Sequence, residues 1–118
     1  MSKRAIIHIE IPATDRHAAA DFYKQLFDWD SEHVAEPMPY TMTRAGNTGI
    51  GLTEPRDEFQ PGSPLLYVES EDIEADLARA EELGGHIVEP KMEIPGIGWM
   101  GIFTDLAGNR VALFTPNM

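Results

Sequence analysis

Alternation governs the first stretch of the chain. From Arg4 to Ile11, Ala5, Ile7, Ile9 and Ile11 interleave with Ile6, His8 and Glu10, the period that a β-strand imposes on its faces. Pro12 ends the strand, because it has no N–H to give to a ladder. Thr14 or Asp15 is suited to cap the helix that follows. Phe22, Leu26, Ala18 and Ala19 make its apolar stripe, and it ends near Phe27-Asp28. Three short strands are then predicted: Trp29–Val34, Tyr40–Arg44 after a bend at Pro37–Pro39, and Gly49–Thr53, entered through a turn at Gly46-Asn47.

The pattern then begins again. Glu54 to Pro64 holds three prolines and a glycine and reads as a connector. Leu65–Glu69 is the next strand, and Asp72 caps a helix that turns Ile73, Leu77, Ala80 and Leu83 inward until Gly84-Gly85 stops it. Strands follow near His86–Val88, Gly98–Thr104 and Asn109–Thr115, with Pro95-Gly96-Ile97-Gly98 as a lengthened loop and Asp105–Asn109 as a tight turn. Each half therefore reads βαβββ, and each carries Ala-Gly-Asn before its last strand, at Ala45-Gly46-Asn47 and Ala107-Gly108-Asn109. Asp15 matches Asp72 and Leu26 matches Leu83 at one offset, as expected of a duplicated unit too small to bury its own apolar face. We expect one domain over residues 1–118, with module one at about 4–53, the connector at 54–64 and module two at about 65–116.

Composition narrows the function. With 9 basic against 20 acidic residues, the formal net charge is -11. This argues against nucleic acid as a partner, since phosphates are held by Lys and Arg, and against anionic membrane surfaces. A hydrophobic share of 42% among 118 residues supports a buried core. The absence of cysteine removes disulfides, zinc–thiolate sites, iron–sulfur clusters and thiol catalysis. No apolar run is long enough to cross a bilayer, and Met1-Ser2-Lys3-Arg4 is not followed by the apolar core of a signal peptide. A cytoplasmic location is expected.

Two stretches carry a family resemblance. His8-Ile9-Glu10-Ile11-Pro12-Ala13-Thr14-Asp15, then Ala20-Asp21-Phe22-Tyr23 and Leu26-Phe27-Asp28-Trp29, resembles the opening strand and helix of the vicinal oxygen chelate superfamily, the glyoxalase, bleomycin-resistance and extradiol dioxygenase group. Tyr67-Val68-Glu69 through Gly84-Gly85 resembles its second opening. Pro95-Gly96-Ile97-Gly98-Trp99 and Asp105-Leu106-Ala107-Gly108-Asn109-Arg110 resemble its closing hairpin. Asp28 stands where the family usually has glycine. The resemblance implies an α+β fold of two βαβββ modules curling into a U-shaped, barrel-like cleft with the helices outside. It also implies homodimers and, in metal-dependent members, a divalent cation on His, Glu or Gln ligands from both modules.

Carried onto this chain, the resemblance places His8 at the first-strand ligand position, Leu65 at its counterpart, and Ile50 or Gly51 and Ala112 at the late-strand positions. His8 alone among them can ligate, whereas a catalytic metal needs about three protein ligands and an open position. A substitute set of His8, Glu10 and Glu69 would have to converge from side chains about 7 Å apart along a strand. No metal and no cofactor are therefore expected. If His8 faces the cleft, alternation adds Ile6 and Glu10 from its strand, Tyr40, Met42 and Arg44 from the first half, and Leu65, Tyr67 and Glu69 from the second. It also adds Trp99, Gly101 and Phe103 together with Arg110, Ala112 and Phe114. This lining is mainly apolar and aromatic with a few polar groups, the make-up of a small-molecule site. His17, His33 and His86 are expected to be solvated. No Gly-x-Ser-x-Gly elbow, phosphate loop or dinucleotide fingerprint is present.

The reading is a glyoxalase/bleomycin-resistance-like protein that binds a small, partly aromatic molecule in a central cleft without a metal. The alternatives are a metal-dependent lyase, isomerase or dioxygenase with unusual ligands, and a non-catalytic dimer that acts through protein contacts.

Overall fold

The computed structural model describes residues 4–35 and 39–117; the expected bend at Pro37 and Met38 lies outside them. Its elements run β1 (Ile6–Pro12), α1 (Arg16–Phe27), β2 (Ser31–Val34), β3 (Tyr40–Ala45), β4 (Thr48–Thr53), β5 (Leu65–Glu69), α2 (Ile73–Glu82), β6 (His86–Ile94), β7 (Gly98–Thr104) and β8 (Arg110–Pro116). This is the α+β class with βαβββ repeated. The chain divides into two compact units, Ile7–Leu65 in one, and the residues from Leu66 onward with the amino-terminal stretch up to Ile6 in the other.

In the first unit the strands lie in the order β2-β3-β4-β1, with β1 parallel to β4 and the other neighbours antiparallel. Asp15 caps α1 by accepting from the Ala18 N–H at 3.0 Å. The helix ends at Asp28, whose φ of 63° is left-handed. That conformation favours glycine, but the short Asp side chain tolerates it, and here Lys24 Nζ holds the carboxylate at 2.6 Å and that of Asp30 at 2.7 Å. The core joins Ala13, Ala20, Ile50 and Leu52, with Ile9, Ile11, Ala19, Tyr23, Trp29 and Ala45 packed on them.

Of the expected stripe on α1 only Ala19 turns inward, beside Ala20 and Tyr23, while Ala18, Phe22 and Leu26 are exposed. The helix carries apolar residues on two adjacent stripes, so periodicity alone does not choose between them. The small alanines let the helix approach the sheet closely. Trp29 lies outside β2 and its ring meets those of Tyr23 and Phe27 at 5.3 and 5.0 Å.

The second unit repeats the order as β5-β8-β7-β6, with β5 parallel to β8. Asp72 caps α2 through the Ala75 N–H at 3.0 Å. Ile73 and Leu77 bury against Leu113, with Val68 and Phe103 beside them, while Leu83 is exposed. Arg4 forks onto the Asp76 carboxylate at 2.8 and 2.9 Å and the Ser70 hydroxyl donates to the same group at 2.6 Å. These hydrogen bonds hold the Asp76 carboxyl below the usual carboxylate range.

Two expected boundaries move. β6 continues past Val88 to Ile94, because it is the edge strand of its unit and two register shifts absorb Pro90. Residues 95–97 form a tight turn closed by Ile97 N–H to Ile94 O at 2.9 Å, in place of a lengthened loop.

Gly85 joins α2 to β6 where a Cβ would overlap the Thr104 carbonyl oxygen and stand 3.2 Å from that of Ala80. Because both neighbours are backbone, Gly85→Ala is expected to cost about 1–3 kcal/mol, read as a lower urea midpoint. An unchanged midpoint would contradict this packing.

Candidate functional site

The register of three strands in module one builds the candidate site. His8 lies opposite Gly49 and Glu10 opposite Gly51 across the β1–β4 ladder. Arg44 pairs with Gly49 and Met42 with Gly51 across the β3–β4 ladder. Paired residues share a face, so His8, Glu10, Tyr40, Met42 and Arg44 lie on the side of the central strand where Gly49 and Gly51 carry no side chain. On the other face of β4, Ile50 and Leu52 enter the core beneath α1. The central strand is a trench on one side and a wall on the other.

Tyr40 fills the trench. A Cβ on Gly51 would overlap its hydroxyl. The hydroxyl donates to Glu10 Oε2 at 2.8 Å and lies 2.8 Å from His8 Nε2. A phenol has one proton to give. Since it goes to the carboxylate, the His8 Nε2–H is the donor to Tyr40, and in the neutral ring Nδ1 is the acceptor. Glu10 is 7% exposed, and Arg56 Nη2 stands 4.0 Å from its other oxygen. The Arg56 guanidinium in turn lies 5.0 Å over the Phe59 ring. Burial pushes the His8 pKa below 6.5; Glu10 opposes that shift and Arg44 reinforces it.

The residues of module one do not fit a divalent cation. Of the late-strand positions, Ile50 points into the core and Gly51 has no side chain. The room over Gly51 is taken by the Tyr40 hydroxyl, which also engages His8 Nε2. Among the described residues, no group of three or more His, Cys, Asp or Glu side chains is placed to hold a metal ion. His17 and His33 are exposed, with rings stacked at 4.0 Å, and His33 Nδ1 lies 2.7 Å from the Thr41 hydroxyl on the helix-side face.

In module two, Tyr67, Ala112 and Phe114 share a face. Tyr67 is opposite Ala112, and the Tyr67 and Phe114 rings meet edge to face at 6.4 Å. Leu65 is buried two residues before Tyr67, and Arg110 opens β8 opposite Thr104. Glu69 is exposed; its N–H donates to Ala5 O at 3.1 Å and its carbonyl accepts from Arg4 at 3.2 Å.

The expected face of Trp99, Gly101 and Phe103 is corrected. The β7–β8 register pairs Ile102 with Ala112 and Met100 with Phe114, so those two share the face of Tyr67. Phe103 instead packs into the Ile73–Leu77–Leu113 cluster and Gly101 backs onto Ile73 and Leu77. Trp99 is on that side too, beneath the Lys91 ammonium at 5.0 Å. The cause is the Asp105–Asn109 loop. Its odd length pairs even positions with even ones, and Asp105 pins it through the Ala107 and Asn109 N–H groups, both at 2.9 Å. Arg56 and Phe59 were missed because a proline-rich connector gives no periodic signal. The tight turn that pairs Arg56 with Phe59 through reciprocal backbone hydrogen bonds brings the guanidinium to Glu10.

A family model described as the Glyoxalase/Bleomycin resistance protein/Dioxygenase superfamily matches residues 5–113. The chain is 27% identical over 118 residues to a putative glyoxylase, CFP32, of Mycobacterium bovis, covering 92% of this chain and 44% of that protein. It is 27% identical over 122 residues to the anthracycline biosynthesis protein DnrV of Streptomyces peucetius, covering 89% and 44%. The chain thus spans less than half the length of these relatives. A Streptomyces coelicolor methylmalonyl-CoA epimerase variant, solved with 2-nitronate-propionyl-CoA, superposes with a TM-score of 0.73 at 18% identity over 99% of this chain and 100% of that one. That likeness is one of fold.

Tyr40→Phe removes the hydroxyl that serves both His8 and Glu10, and is expected to cost about 1–3 kcal/mol because a buried carboxylate loses its donor. Gly51→Ala, which displaces the ring, should cost at least as much. Equal thermal midpoints for wild type and both variants would contradict the bridge. A depressed His8 pKa also predicts a pH dependence. The unfolded chain takes up a proton at about 6.5 that folded His8 refuses, so this contribution is complete above that pH and is lost as pH falls below it. An NMR titration of His8 with a midpoint at or above 6.5 would contradict the assignment.

Proposed function

We propose that this chain, which belongs to the glyoxalase/bleomycin resistance protein/dioxygenase superfamily, binds a small, partly aromatic molecule on the module-one face around Tyr40 and does so without a metal ion. The observation that carries the reading is the Tyr40 hydroxyl, 2.8 Å from both His8 Nε2 and Glu10 Oε2, in the room that a side chain at Gly51 would need. A face that offers the ring of Tyr40, the thioether of Met42 and a few fixed polar groups suits a flat organic molecule. The donor set favours this reading over a metal-dependent lyase, isomerase or dioxygenase, because the hydroxyl engages the donors such an ion would use.

The homodimer and the cytoplasmic location belong to the same proposal. No helix among the described residues is long and apolar enough to cross a membrane. Light scattering behind a sizing column tests the dimer, and a single peak at the 13.1 kDa chain mass would reject it.

Thermal unfolding with a panel of small aromatic compounds, in buffer containing EDTA, tests binding. At about 100 times its Kd a ligand stabilises the fold by about 2.7 kcal/mol, a shift of several degrees for a domain of this size. At least one compound is expected to give that shift, and to give less with Tyr40→Phe. A panel that is silent in EDTA but active once a divalent cation is supplied would reject metal-free binding.

A further inference from the structure

We propose that two copies of this chain associate through α1, with the ridge of Ala18, Phe22 and Leu26 on one copy packed antiparallel against the same ridge on the other. This deepens the homodimer reading above and rests on it.

A surface helix ordinarily turns a polar face to water. α1 instead gives Ala19, Ala20 and Tyr23 to the sheet and leaves Ala18, Phe22, Leu26 and Phe27 outside. Phe22 and Leu26 are each 59% exposed and Phe27 is 52% exposed. The fold does not require this. At the offset that matches Asp15 with Asp72, Phe22 corresponds to Arg79 of α2, which makes an ordinary surface pair with Glu82 at 3.3 Å. The aromatic side chains are also held in place. The Phe22 ring meets Tyr23 edge-on at 5.4 Å, and Phe27 meets Tyr23 at 6.2 Å and Trp29 at 5.0 Å. Side chains already fixed lose little rotamer freedom when a partner covers them.

The ridge is its own complement. Ala18 and Leu26 stand four residues to either side of Phe22, so a two-fold axis through Phe22 sets Leu26 of each copy over Ala18 of the other. Small meets large at both ends, and the two phenyl rings meet at the centre. The same rotation brings unlike charges together. Beyond the Asp15 cap, the first turn of α1 carries Arg16 and His17 and no acidic residue, whereas its far end runs into Asp28 and Asp30, which share the Lys24 ammonium. The exposed parts of Phe22, Leu26 and Phe27 come to roughly 300 Å² on each copy, taking about 150–250 Å² for a whole aromatic side chain. That suits the apolar centre of an interface of about 800 Å² a side, with Asp21, Lys24 and Gln25 as its polar rim. The acidic neighbours Asp21, Asp28 and Asp30 disfavour an anionic lipid surface as the occupant.

Light scattering over a dilution series tests this on wild type, Phe22→Arg, which copies the residue of module two, and Leu83→Glu, at an exposed position of α2. Wild type is expected at twice the 13.1 kDa chain mass. Phe22→Arg should raise the dimer dissociation constant about 30-fold or more, and Leu83→Glu should leave it unchanged. The chain has no cysteine, so engineered thiols give a second readout. Ala18→Cys mixed with Leu26→Cys and oxidised should yield a disulfide-linked dimer that neither variant yields alone. A dimer that persists in Phe22→Arg, one that dissociates in Leu83→Glu, or a mixture without the linked product would overturn the α1 interface and leave the homodimer reading standing. A wild type that stays monomeric would overturn both. Co-sedimentation of such a monomer with phosphatidylcholine vesicles, lost in Phe22→Arg, would assign the ridge to lipid instead.

Discussion

One hydroxyl group organises the candidate site. Tyr40 Oη gives its proton to Glu10 and takes one from His8, at 2.8 Å in each case. A buried carboxylate needs such donors, since an unsatisfied charge in a low-dielectric setting costs several kcal/mol. The bridge exists only because Gly51 has no side chain, and Gly51 meets Tyr40 only because the β3–β4 and β1–β4 registers bring them together. A slip of one residue in the β1–β4 ladder would turn His8 and Glu10 into the helix-side core and expose Ile9 and Ile11, and the same slip in the β3–β4 ladder would turn Tyr40 away from them. The hydrophobic packing under α1 therefore fixes the polar chemistry on the opposite face.

The two modules share a topology and differ in what they place on it. At the offset of their caps, His8 corresponds to Leu65 and Glu10 to Tyr67, and the late-strand position becomes the fully buried Ala112. Module one carries a polar bridge over a glycine trench, and module two carries an apolar face with an edge-to-face aromatic pair. The duplicated unit has kept its caps, its parallel first and last strands and its strand order.

Much of this was legible in the sequence because strong local signals agreed with the fold. The alternation of Ala5 to Ile11, the caps Asp15 and Asp72, and the Ala-Gly-Asn turns each act within a few residues. The repeated βαβββ order followed from them, and the α+β class from the family resemblance. What was not legible depends on register and on non-periodic backbone. The face of Trp99 and Phe103 is decided by the parity of the Asp105–Asn109 loop, which a strand pattern does not reveal. The inward stripe of α1 is decided by how closely alanines let it approach the sheet. The arrival of Arg56 at Glu10 is decided by a turn in a segment without periodicity. Gly51 read as a missing ligand in the sequence, and only the packed ring of Tyr40 shows that its empty side chain has a use.

The Tyr40 hydroxyl lies where a side chain at Gly51 would stand, and a calorimetric titration of EDTA-stripped protein with Ni²⁺ and Zn²⁺ tests the proposed metal-free site most directly. The account predicts no binding near one ion per chain. Stoichiometric binding that disappears in His8→Ala would contradict it.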